Sequence, residues 1–453
     1  MVRAESLDLD ALRLVFEERK VTKVKLGGFD VDGVLRGKYV SLEKFFSAAQ
    51  SGLGFCDVIF GWDVGDQLYD NAQVTGWHTG YPDTLATIDL STFRMIPWEP
   101  GTAAFLLDFC DREGKPLAIS PRQVLQRVLA RAARSGLEAK LAAEYEFFFF
   151  KETPESVRAK GFTGLTPLSP GMFGYSWLRA SESSELVHRI QDELAAFDLQ
   201  IEGFHTETGP GVFEAAIAVD TGLRAADKAA LFKTAVKEIA HRHGLMPCFM
   251  AKWNEKLPGC SGHVHLSLWD GQRNVFADGA GGMSRQMEHA IAGQVALMPE
   301  LTGVVAPTVN SYKRMVEGAW APTTATWGVE NRTTALRAIP GSAKATRIEY
   351  RQAAADMNPY TAMAVAVGSA LWGMERSLAP PPPVRGNAYD AKDAPRLPRT
   401  LAEATARLRE SAAAREILGA EFVEHYARTR EWEVRQFERA VTTWELERYF
   451  EII

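Results

Sequence analysis

Three short segments of the sequence place ionisable side chains two residues apart. They read Glu-Tyr-Glu at 144–146, His-Val-His at 263–265 and Arg-Ile-Glu-Tyr-Arg at 347–351. On a β-strand, residues two apart point to the same face, so each segment would present its charged groups side by side. Partly buried like charges are costly unless a cation compensates them, which favours a metal site. Taken singly, the segments also fit an exposed strand end, a hydrogen-bonded histidine pair and a salt-bridge ladder.

A fourth polar segment, at 205–214, reads His-Thr-Glu-Thr-Gly-Pro-Gly-Val-Phe-Glu. Gly-Pro-Gly favours a tight turn, which would bring Glu207 and Glu214 to a common centre; a polar hairpin without a ligand is the alternative. The pooled candidate ligands are Glu144, Glu146, Glu207, Glu214, Glu349 and His263. Oxygen donors favour Mg²⁺ or Mn²⁺ over zinc, and six ligands suit two ions.

Basic residues concentrate in the segment from 313 to 351. They are Lys313, Arg314, Arg332, Arg337, Lys344, Arg347 and Arg351. Guanidinium groups bind phosphate and carboxylate through paired hydrogen bonds, so this segment beside two metals indicates phosphoryl chemistry on an anionic substrate. A solvated basic face would have to explain the interspersed Trp327, Leu336 and Ile348. The sequence has neither a P-loop nor a Gly-x-Gly-x-x-Gly motif after a strand, so a nucleotide would bind by another route.

Alternating strands and helices must position these groups. Hydrophobic periodicity and turn residues predict a helix over 6–19, a hairpin over 21–34, and a helix that starts at Ser120-Pro121 and ends before Gly136. Further along, we predict a strand at 140–150, helices over 184–198 and up to Gly244, a strand pair at 246–252 and 261–269, a helix over 284–298, and two helices over 400–448 after the Pro380–Pro383 run.

Composition limits the class of protein. The 453 residues carry a formal net charge of −6, with 24% charged and 46% apolar residues, so a basic nucleic-acid binder and a disordered chain are excluded. The four cysteines form no Cys-x-x-Cys pair, which favours a reducing compartment. No window reaches the ~18 apolar residues of a membrane span, and no signal peptide is recognisable. We therefore expect a cytoplasmic protein of two domains, without a membrane or nucleic-acid partner.

In order and spacing, the motifs resemble those of the glutamine synthetase family. The matching segments are 144–147, 207–214, 261–265, 310–314, 331–332, 347–351 and 358–360. The resemblance implies an α+β fold, with a small N-terminal β-grasp-like domain over 1–110 and a large catalytic domain over 111–453. In the latter, antiparallel strands form a funnel flanked by helices. It also implies a homo-oligomeric ring, a decamer or dodecamer, in which a neighbour's N-terminal domain completes each site.

The resemblance also implies a role for individual residues. One metal ion, Mg²⁺ or Mn²⁺, would be held by Glu146, Glu207 and Glu214, and the other by Glu144, His263 and Glu349. ATP or its phosphates would contact Glu202, His265, Ser267, Arg337, Lys344 and Arg347. Glutamate would contact Gly259, Arg314 and Arg351. Arg332 would stabilise the transferred phosphoryl group, Asp63 would be the acidic residue that a neighbouring subunit supplies to the ammonium site, and Tyr175 would also line the substrate site.

The reaction implied is the phosphorylation of the γ-carboxylate of L-glutamate by ATP, followed by attack of an amine on the acyl phosphate. In ammonia-using members, a flap glutamate lies two residues before a proline, where this chain has Trp320 ahead of Pro322. An indole cannot act as the base that the glutamate supplies, so we expect a primary amine larger than ammonia. Ordinary glutamine synthesis, a metallohydrolase and a non-catalytic structural relative are the alternatives. Tyr389 lies near the position at which some bacterial members are adenylylated, and we interpret it as structural.

Overall fold

A computed structural model describes residues 8–453 and builds them around two β-sheets. The first sheet has the strand order β2-β1-β5-β4-β3, in which β1 and β5 are parallel and the other neighbours antiparallel. Its elements are α1 (Leu9–Glu18), β1 (Lys23–Phe29), β2 (Leu35–Val40), α2 (Leu42–Ser51), β3 (Leu53–Cys56), β4 (Asp83–Met95) and β5 (Thr102–Cys110). Phe16 of α1 and Phe45 of α2 pack on Phe105 of β5. This small mixed sheet, covered by α1 and α2, confirms the β-grasp-like expectation.

The second sheet has ten strands and carries most of the candidate ligands. Its main order is β13-β14-β15-β11-β6-β8-β7, antiparallel except for the pair β13–β14. The strands are β6 (Glu138–Phe150), β7 (Ile201–Thr206), β8 (Val212–Ile217), β9 (Asp220–Thr221), β10 (Met246–Cys248), β11 (Gly262–Asp270), β12 (Arg273–Asn274), β13 (Trp327–Val329), β14 (Leu336–Ile339) and β15 (Arg347–Tyr350). The long strand β6 lies in the middle of this sheet and confirms the strand predicted at 140–150.

The pairing predicted between 246–252 and 261–269 is wrong. Both strands exist, but each pairs with β6: β11 along Glu138–Tyr145, and β10 along Phe148–Phe150. They therefore follow one another along the same edge of β6. The thirteen residues of β6 are long enough to pair with both strands.

Helices cover the second sheet. They are α3 (Pro121–Arg134), α4 (Pro154–Ala159), α5 (Trp177–Glu182), α6 (Ser184–Ala196), α7 (Gly222–Arg242), α8 (Arg285–Val305), α9 (Ser311–Arg314) and α10 (Pro359–Glu375). As predicted, α3 begins with proline at its first position and ends before Gly136, which has a φ of +72°. α8 continues past the predicted end, through Pro299, because Met298 and Leu301 on either side are buried in the core. α8 and α10 cross closely: a Cβ on Gly293 would lie 2.2 Å from the carbonyl oxygen of Ser369.

The C-terminal part has more helices than the two predicted over 400–448. It contains α11 (Leu401–Glu410), α12 (Ala412–Leu418), α13 (Ala420–Arg439) and α14 (Thr443–Tyr449). Ser411 ends α11 and caps α12, since its hydroxyl accepts from the Ala414 amide, and Gly419 breaks the next junction with a φ of +93°. The Ala-, Arg- and Glu-rich composition concealed these two breaks.

A buried arginine links the first sheet to helices α3 and α7. Arg122 of α3 donates to Asp89 of β4 and Asp108 of β5 at 2.7 and 2.8 Å, and to both carboxylate oxygens of Asp227 of α7 at 2.9 Å. The first sheet ends at Cys110, and α3 begins at Pro121; a domain division at 110 stays a prediction. Within residues 8–453 no helix combines the length and the apolar character that a membrane crossing requires.

Candidate active site

The acidic face of the second sheet begins on β6. Glu144 and Glu146 are partly exposed. The residues between and beside them are buried, with an exposed fraction of 1% or less for Ala143, Tyr145 and Phe147. The strand period of two therefore separates a polar face from an aromatic core, as the sequence predicted. Stacking of Phe147 on Phe249, with ring centroids 4.7 Å apart, is part of the packing behind the carboxylates.

Strand register places the other candidate ligands beside these two. His263 of β11 lies directly opposite Glu144, and Glu214 of β8 lies directly opposite Glu146. Directly opposed residues on one face have their Cβ atoms about 5 Å apart, so their side chains meet. On the far side of β11, Glu349 of β15 is opposite His265. Two acidic clusters result, one on each side of the sheet centre.

The first cluster joins β6, β11 and β15. Nδ1 of His263 lies 3.1 Å from a carboxylate oxygen of Glu144 and 3.2 Å from one of Glu349, and Nε2 of His265 lies 3.6 Å from Glu144. Arg351 donates to Glu349, which is almost completely buried. Burial alone would raise the pKa of Glu349, but the neighbouring His263 and Arg351 lower it to about 2. The carboxylates here are therefore ionised at neutral pH.

The second cluster joins β7 and β8. Nε2 of His205 lies 3.1 Å from a carboxylate oxygen of Glu214, and its Nδ1 lies 4.0 Å from Glu207. The turn between these strands contains Gly211, whose φ is +71° and whose Cβ position would be 2.8 Å from the Leu168 amide nitrogen, so glycine is needed there. Burial, and then the charges of Glu144 and Glu146, raise the pKa of Glu214 to about 7. Burial would lower the pKa of His205, but Glu214 and Glu207 in turn raise it to about 9, so the repulsion at Glu214 comes from the carboxylates of Glu144 and Glu146.

The residues fit a pair of divalent cations. In each of two groups, Glu144–His265–Glu349 and His205–Glu207–Glu214, the potential ligand atoms lie within 4.8 Å of one another. Among the described residues, three buried polar atoms at the cleft have no hydrogen-bond partner: Oγ of Ser261, Nε2 of His263 and Nε of Arg351. Carboxylates with one imidazole per group are donors that suit Mg²⁺ or Mn²⁺.

Sequence reasoning missed His205 as a member of the second group. The signal was present, because His205 and Glu207 have the same two-residue spacing as the other pairs. Tyr175, a predicted site residue, stacks on the His205 ring with centroids 4.4 Å apart. Burial and then the Glu207 carboxylate raise the pKa of Tyr175 to about 12, while Arg332 acts in the opposite direction. Tyr175 therefore lies beside the second cluster, within range of the Arg332 charge.

A polar cavity of about 330 Å³ adjoins the first cluster. Five of the six predicted nucleotide contacts line it: Glu202, His265, Ser267, Lys344 and Arg347. Nε of Arg347 donates to Nδ1 of His265 at 3.2 Å. The sixth, Arg337, does not line this cavity and instead donates to Glu349 at 3.1 Å and to Glu330. Lys140, which sequence reasoning did not select, also lines the cavity, with its ammonium 3.7 Å from the centre of the Trp269 ring.

Two buried arginines, Arg314 and Arg351, lie beside the acidic clusters. Arg314, at the end of α9, donates to the carbonyl oxygen of Gln352 at 3.2 Å and packs against Gly259, where a Cβ would lie 2.8 Å from its side chain. Burial lowers the pKa of Arg314, which Glu146 partly offsets. Arg351 and Arg314 thus form a positive region next to Glu146, suited to a small anionic substrate.

Two predicted residues are in loops. Trp320 follows α9 with its side chain 66% exposed and a φ of +56°. Asp63 lies after β3, where its carboxylate accepts from the amides of Gly65 and Gln67 and from the Trp432 indole at 2.9 Å. Those contacts do not place it with the cleft residues of its own chain, and its action in a neighbouring subunit stays a prediction.

Antiparallel strands thus hold two acidic clusters, with a basic cavity and two buried arginines beside them. The family model described as glutamine synthetase, catalytic domain, matches residues 118–449. The chain belongs to the glutamine synthetase family. A solved complex of GmaS with ADP has the same fold, with a TM-score of 0.85 and 28% identity over 97% of this chain and 99% of that one.

Similar curated proteins differ in the substrate that their names state. Type-1 glutamine synthetase 2 of Dictyostelium discoideum is 48% identical over 99% of this chain and 88% of its own. Glutamate–isopropylamine ligase of a Pseudomonas species is 39% identical over 98% of each chain. Gamma-glutamylethanolamide synthetase of Streptomyces coelicolor is 38% identical, over 99% of this chain and 97% of its own. The family therefore includes both glutamine synthetases and enzymes named for larger amines.

Proposed function

We propose that the protein is an ATP-dependent ligase that joins the γ-carboxylate of L-glutamate to a primary amine larger than ammonia. The observation that carries the proposal is two acidic clusters on one sheet, with a basic cavity adjoining the first and two buried arginines beside Glu146 and Glu349. Such an arrangement can hold a nucleotide, two cations and an anionic acceptor close together, which is what phosphoryl transfer to a carboxylate requires. The names of the relatives support the same reaction.

Two Mg²⁺ or Mn²⁺ ions would be held by the acidic clusters. The first would use Glu144, Glu349 and an imidazole from β11, either His263 or His265; the second would use Glu146, Glu207 and Glu214, with His205 beside them. When bound, such ions neutralise phosphate oxygens and act as Lewis acids during transfer. The amide of Ser261 donates to Glu146 at 2.5 Å and fixes the direction in which that carboxylate points.

The chain's basic residues would bind the two anionic substrates. His265, Lys344 and Arg347 would contact the ATP phosphates from one side, with Glu202 and Ser267 in the same cavity and Arg337 beside Glu349. Arg314 and Arg351, with Gly259, would hold glutamate from the other side. Arg332, exposed on its turn, would contact the transferred phosphoryl group. Charge on both sides would bring the γ-carboxylate and the γ-phosphate together.

Trp320 decides the choice of nucleophile in this proposal. It occupies the flap position, and an indole lacks the negative charge that would bind ammonium and accept its proton. Its exposed ring offers an apolar surface to the carbon chain of an amine, although an aromatic face also binds cations. A small alkylamine or hydroxyalkylamine agrees with the names of two relatives.

We also propose that the protein assembles into a homo-oligomeric ring of ten or twelve subunits in the cytoplasm. Asp63 would then act in trans, since its contacts within the chain are with Gly65, Gln67 and Trp432. Mass measurement by light scattering tests the assembly. Rescue of activity on mixing inactive Asp63→Asn and Arg314→Ala subunits would show that neighbouring chains share a site.

ADP release from purified protein with L-glutamate, Mg²⁺-ATP and a panel of amines tests the activity. We expect ADP only when glutamate and an amine are both present, with ammonia slower than the best amine. Ammonia faster than every amine would identify an ordinary glutamine synthetase, as the 48% identical relative is named. Phosphate release without glutamate would identify a hydrolase, and no turnover together with no Mg²⁺-dependent nucleotide binding would identify a non-catalytic relative.

A further inference from the structure

A segment of residues 384–397, called here the strap, is hydrogen-bonded to two loops. One is the loop that contains Trp320, and the other is the turn that carries Arg332. Backbone hydrogen bonds fasten both of its ends: the Val384 amide donates to Trp327 at 2.8 Å, and the Leu397 amide donates to Thr323 at 3.0 Å. The Ala325 amide also donates to Pro395 at 2.8 Å. The strap thus holds the end of the loop 315–325, called here the acceptor loop because it contains Trp320.

The middle of the strap also contacts the turn that carries Arg332. The side-chain amide of Asn331 donates to the carbonyl oxygens of Val384 and Gly386 at 3.2 and 2.8 Å. The Ala388 amide donates to the Thr333 hydroxyl at 2.9 Å. Residues on both sides of Arg332 are therefore fixed to the same strap as the acceptor loop.

One side chain of the strap reaches the tip of the acceptor loop. The Tyr389 hydroxyl donates to the carbonyl oxygen of Ala321 at 3.0 Å. Ala321 is buried, with only 1% of its surface exposed, and it directly follows Trp320. Trp320 has a φ of +56°, a backbone conformation that costs free energy for residues other than glycine. The charges of Arg314 and Arg351 oppose the rise in the pKa of Tyr389 that burial causes. Tyr389 thus bonds the residue that follows Trp320 and lies within range of both buried arginine charges.

We infer that Tyr389 is a positioning residue for amine selection: its hydroxyl holds the acceptor loop so that Trp320 faces the bound glutamate. This role rests on the proposed function, because it assigns Trp320 to the amine pocket. The hydroxyl acts through Trp320 and does not touch the reacting atoms. It also gives the tyrosine, which the sequence had suggested was only structural, a part in specificity.

The test is Tyr389→Phe, with Tyr426→Phe as its matched control. The Tyr426 hydroxyl makes the same kind of bond, to the carbonyl oxygen of Gly303 at 3.0 Å, but between α13 and α8. Loss of one such hydrogen bond corresponds to a change of about three- to tenfold in an equilibrium constant. Tyr389→Phe should therefore raise the KM for the preferred amine by about that factor. The KM for ATP should stay within about twofold, and Tyr426→Phe should leave both constants unchanged.

Two further measurements separate positioning from a general loss of structure. On a Trp320→Ala background, Tyr389→Phe should have no additional effect on the amine KM, because the group through which it acts is gone. Chymotrypsin cleavage after Trp320 should become about three- to tenfold faster in Tyr389→Phe than in Tyr426→Phe, relative to cleavage after the exposed Trp177.

An unchanged cleavage rate after Trp320, or an equal loss on the Trp320→Ala background, would overturn the inference. Cleavage does not depend on turnover. If the wild-type protein forms no ADP with any amine, the proposed function fails, while faster cleavage would still show that Tyr389 holds the loop.

Discussion

Replacing Glu214 by glutamine should stabilise the metal-free protein. The pKa of Glu214 rises from 4.5 to about 7 because burial and the charges of Glu144 and Glu146 outweigh the hydrogen bond from His205. The unfolded chain loses this proton near pH 4.5 and the folded chain near 7, so stability falls as pH rises between those values. At 1.36 kcal/mol per unit the shift corresponds to about 3 kcal/mol; since His205 shares the charge, we expect a gain of about 1–3 kcal/mol at neutral pH.

The same substitution should weaken stabilisation by metal. Glu214→Gln removes one carboxylate from the second cluster, and a tenfold weaker affinity lowers the stabilisation by saturating Mg²⁺ by about 1.4 kcal/mol. The assay is thermal or urea unfolding at pH 7.5, in EDTA and in Mg²⁺ or Mn²⁺. Glu433→Gln is the matched control, because burial also raises the pKa of Glu433, which lies on α13 outside both clusters. It should leave the metal response unchanged.

The reasoning would be refuted if Glu214→Gln lowered stability in EDTA while the full response to metal persisted. That result would mean that the carboxylates of the second cluster are compensated by the chain itself. It would also remove the electrostatic argument for a cation there. A gain in EDTA that disappears below pH 4.5, where both states are protonated, would confirm the sign of the effect.

Three further variants test other parts of the account. Trp320→Glu should restore a flap carboxylate and raise kcat/KM for ammonia about tenfold or more while lowering it for larger amines, as measured by coupled ADP release; an unchanged ammonia rate would contradict the role of the indole. Arg122→Met leaves the buried Asp227 without its main ion-pair partner and should cost about 3–5 kcal/mol in urea unfolding, whereas a loss below 1 kcal/mol would count against this link between the first sheet and α7. Burial lowers the pKa of His425 from 6.5 to about 4. As the pH falls from 6.5 to 4, the imidazole is protonated in the unfolded chain but not in the folded one, so stability drops over this range. His425→Phe should flatten that drop in Tm, and an equal drop in both proteins would contradict it.

Which side chains share one face of a strand could be predicted from the sequence, but which strands pair with one another could not. The two-residue spacing of Glu144 and Glu146 fixes a common side because strand periodicity is local. That Glu144 lies opposite His263, and Glu349 opposite His265, depends on register between strands that are distant in the sequence. The order of the strands was likewise inaccessible, as the mistaken pairing of β10 and β11 shows.

Residues that act through distant contacts were the hardest to recognise. The sequence shows that His205 and Glu207 are two residues apart. That His205 also lies next to Glu214 follows only from the pairing of β7 with β8. The contact that Tyr389 makes could not be predicted either, because its partner Ala321 is 68 residues away along the chain. The resemblance to a known family supplied candidate roles for single residues, while the structure supplied the distances on which those roles depend.

Product analysis by mass spectrometry tests the central claim most directly. Purified protein would be incubated with L-glutamate, Mg²⁺-ATP and equal concentrations of ammonia, methylamine, isopropylamine, ethanolamine, putrescine and aniline. We predict a γ-glutamyl amide of one of the larger amines, formed in equal amount with ADP and phosphate and absent when glutamate, metal or amine is omitted. Glutamine as the main product, or ADP without any γ-glutamyl amide, would contradict the account.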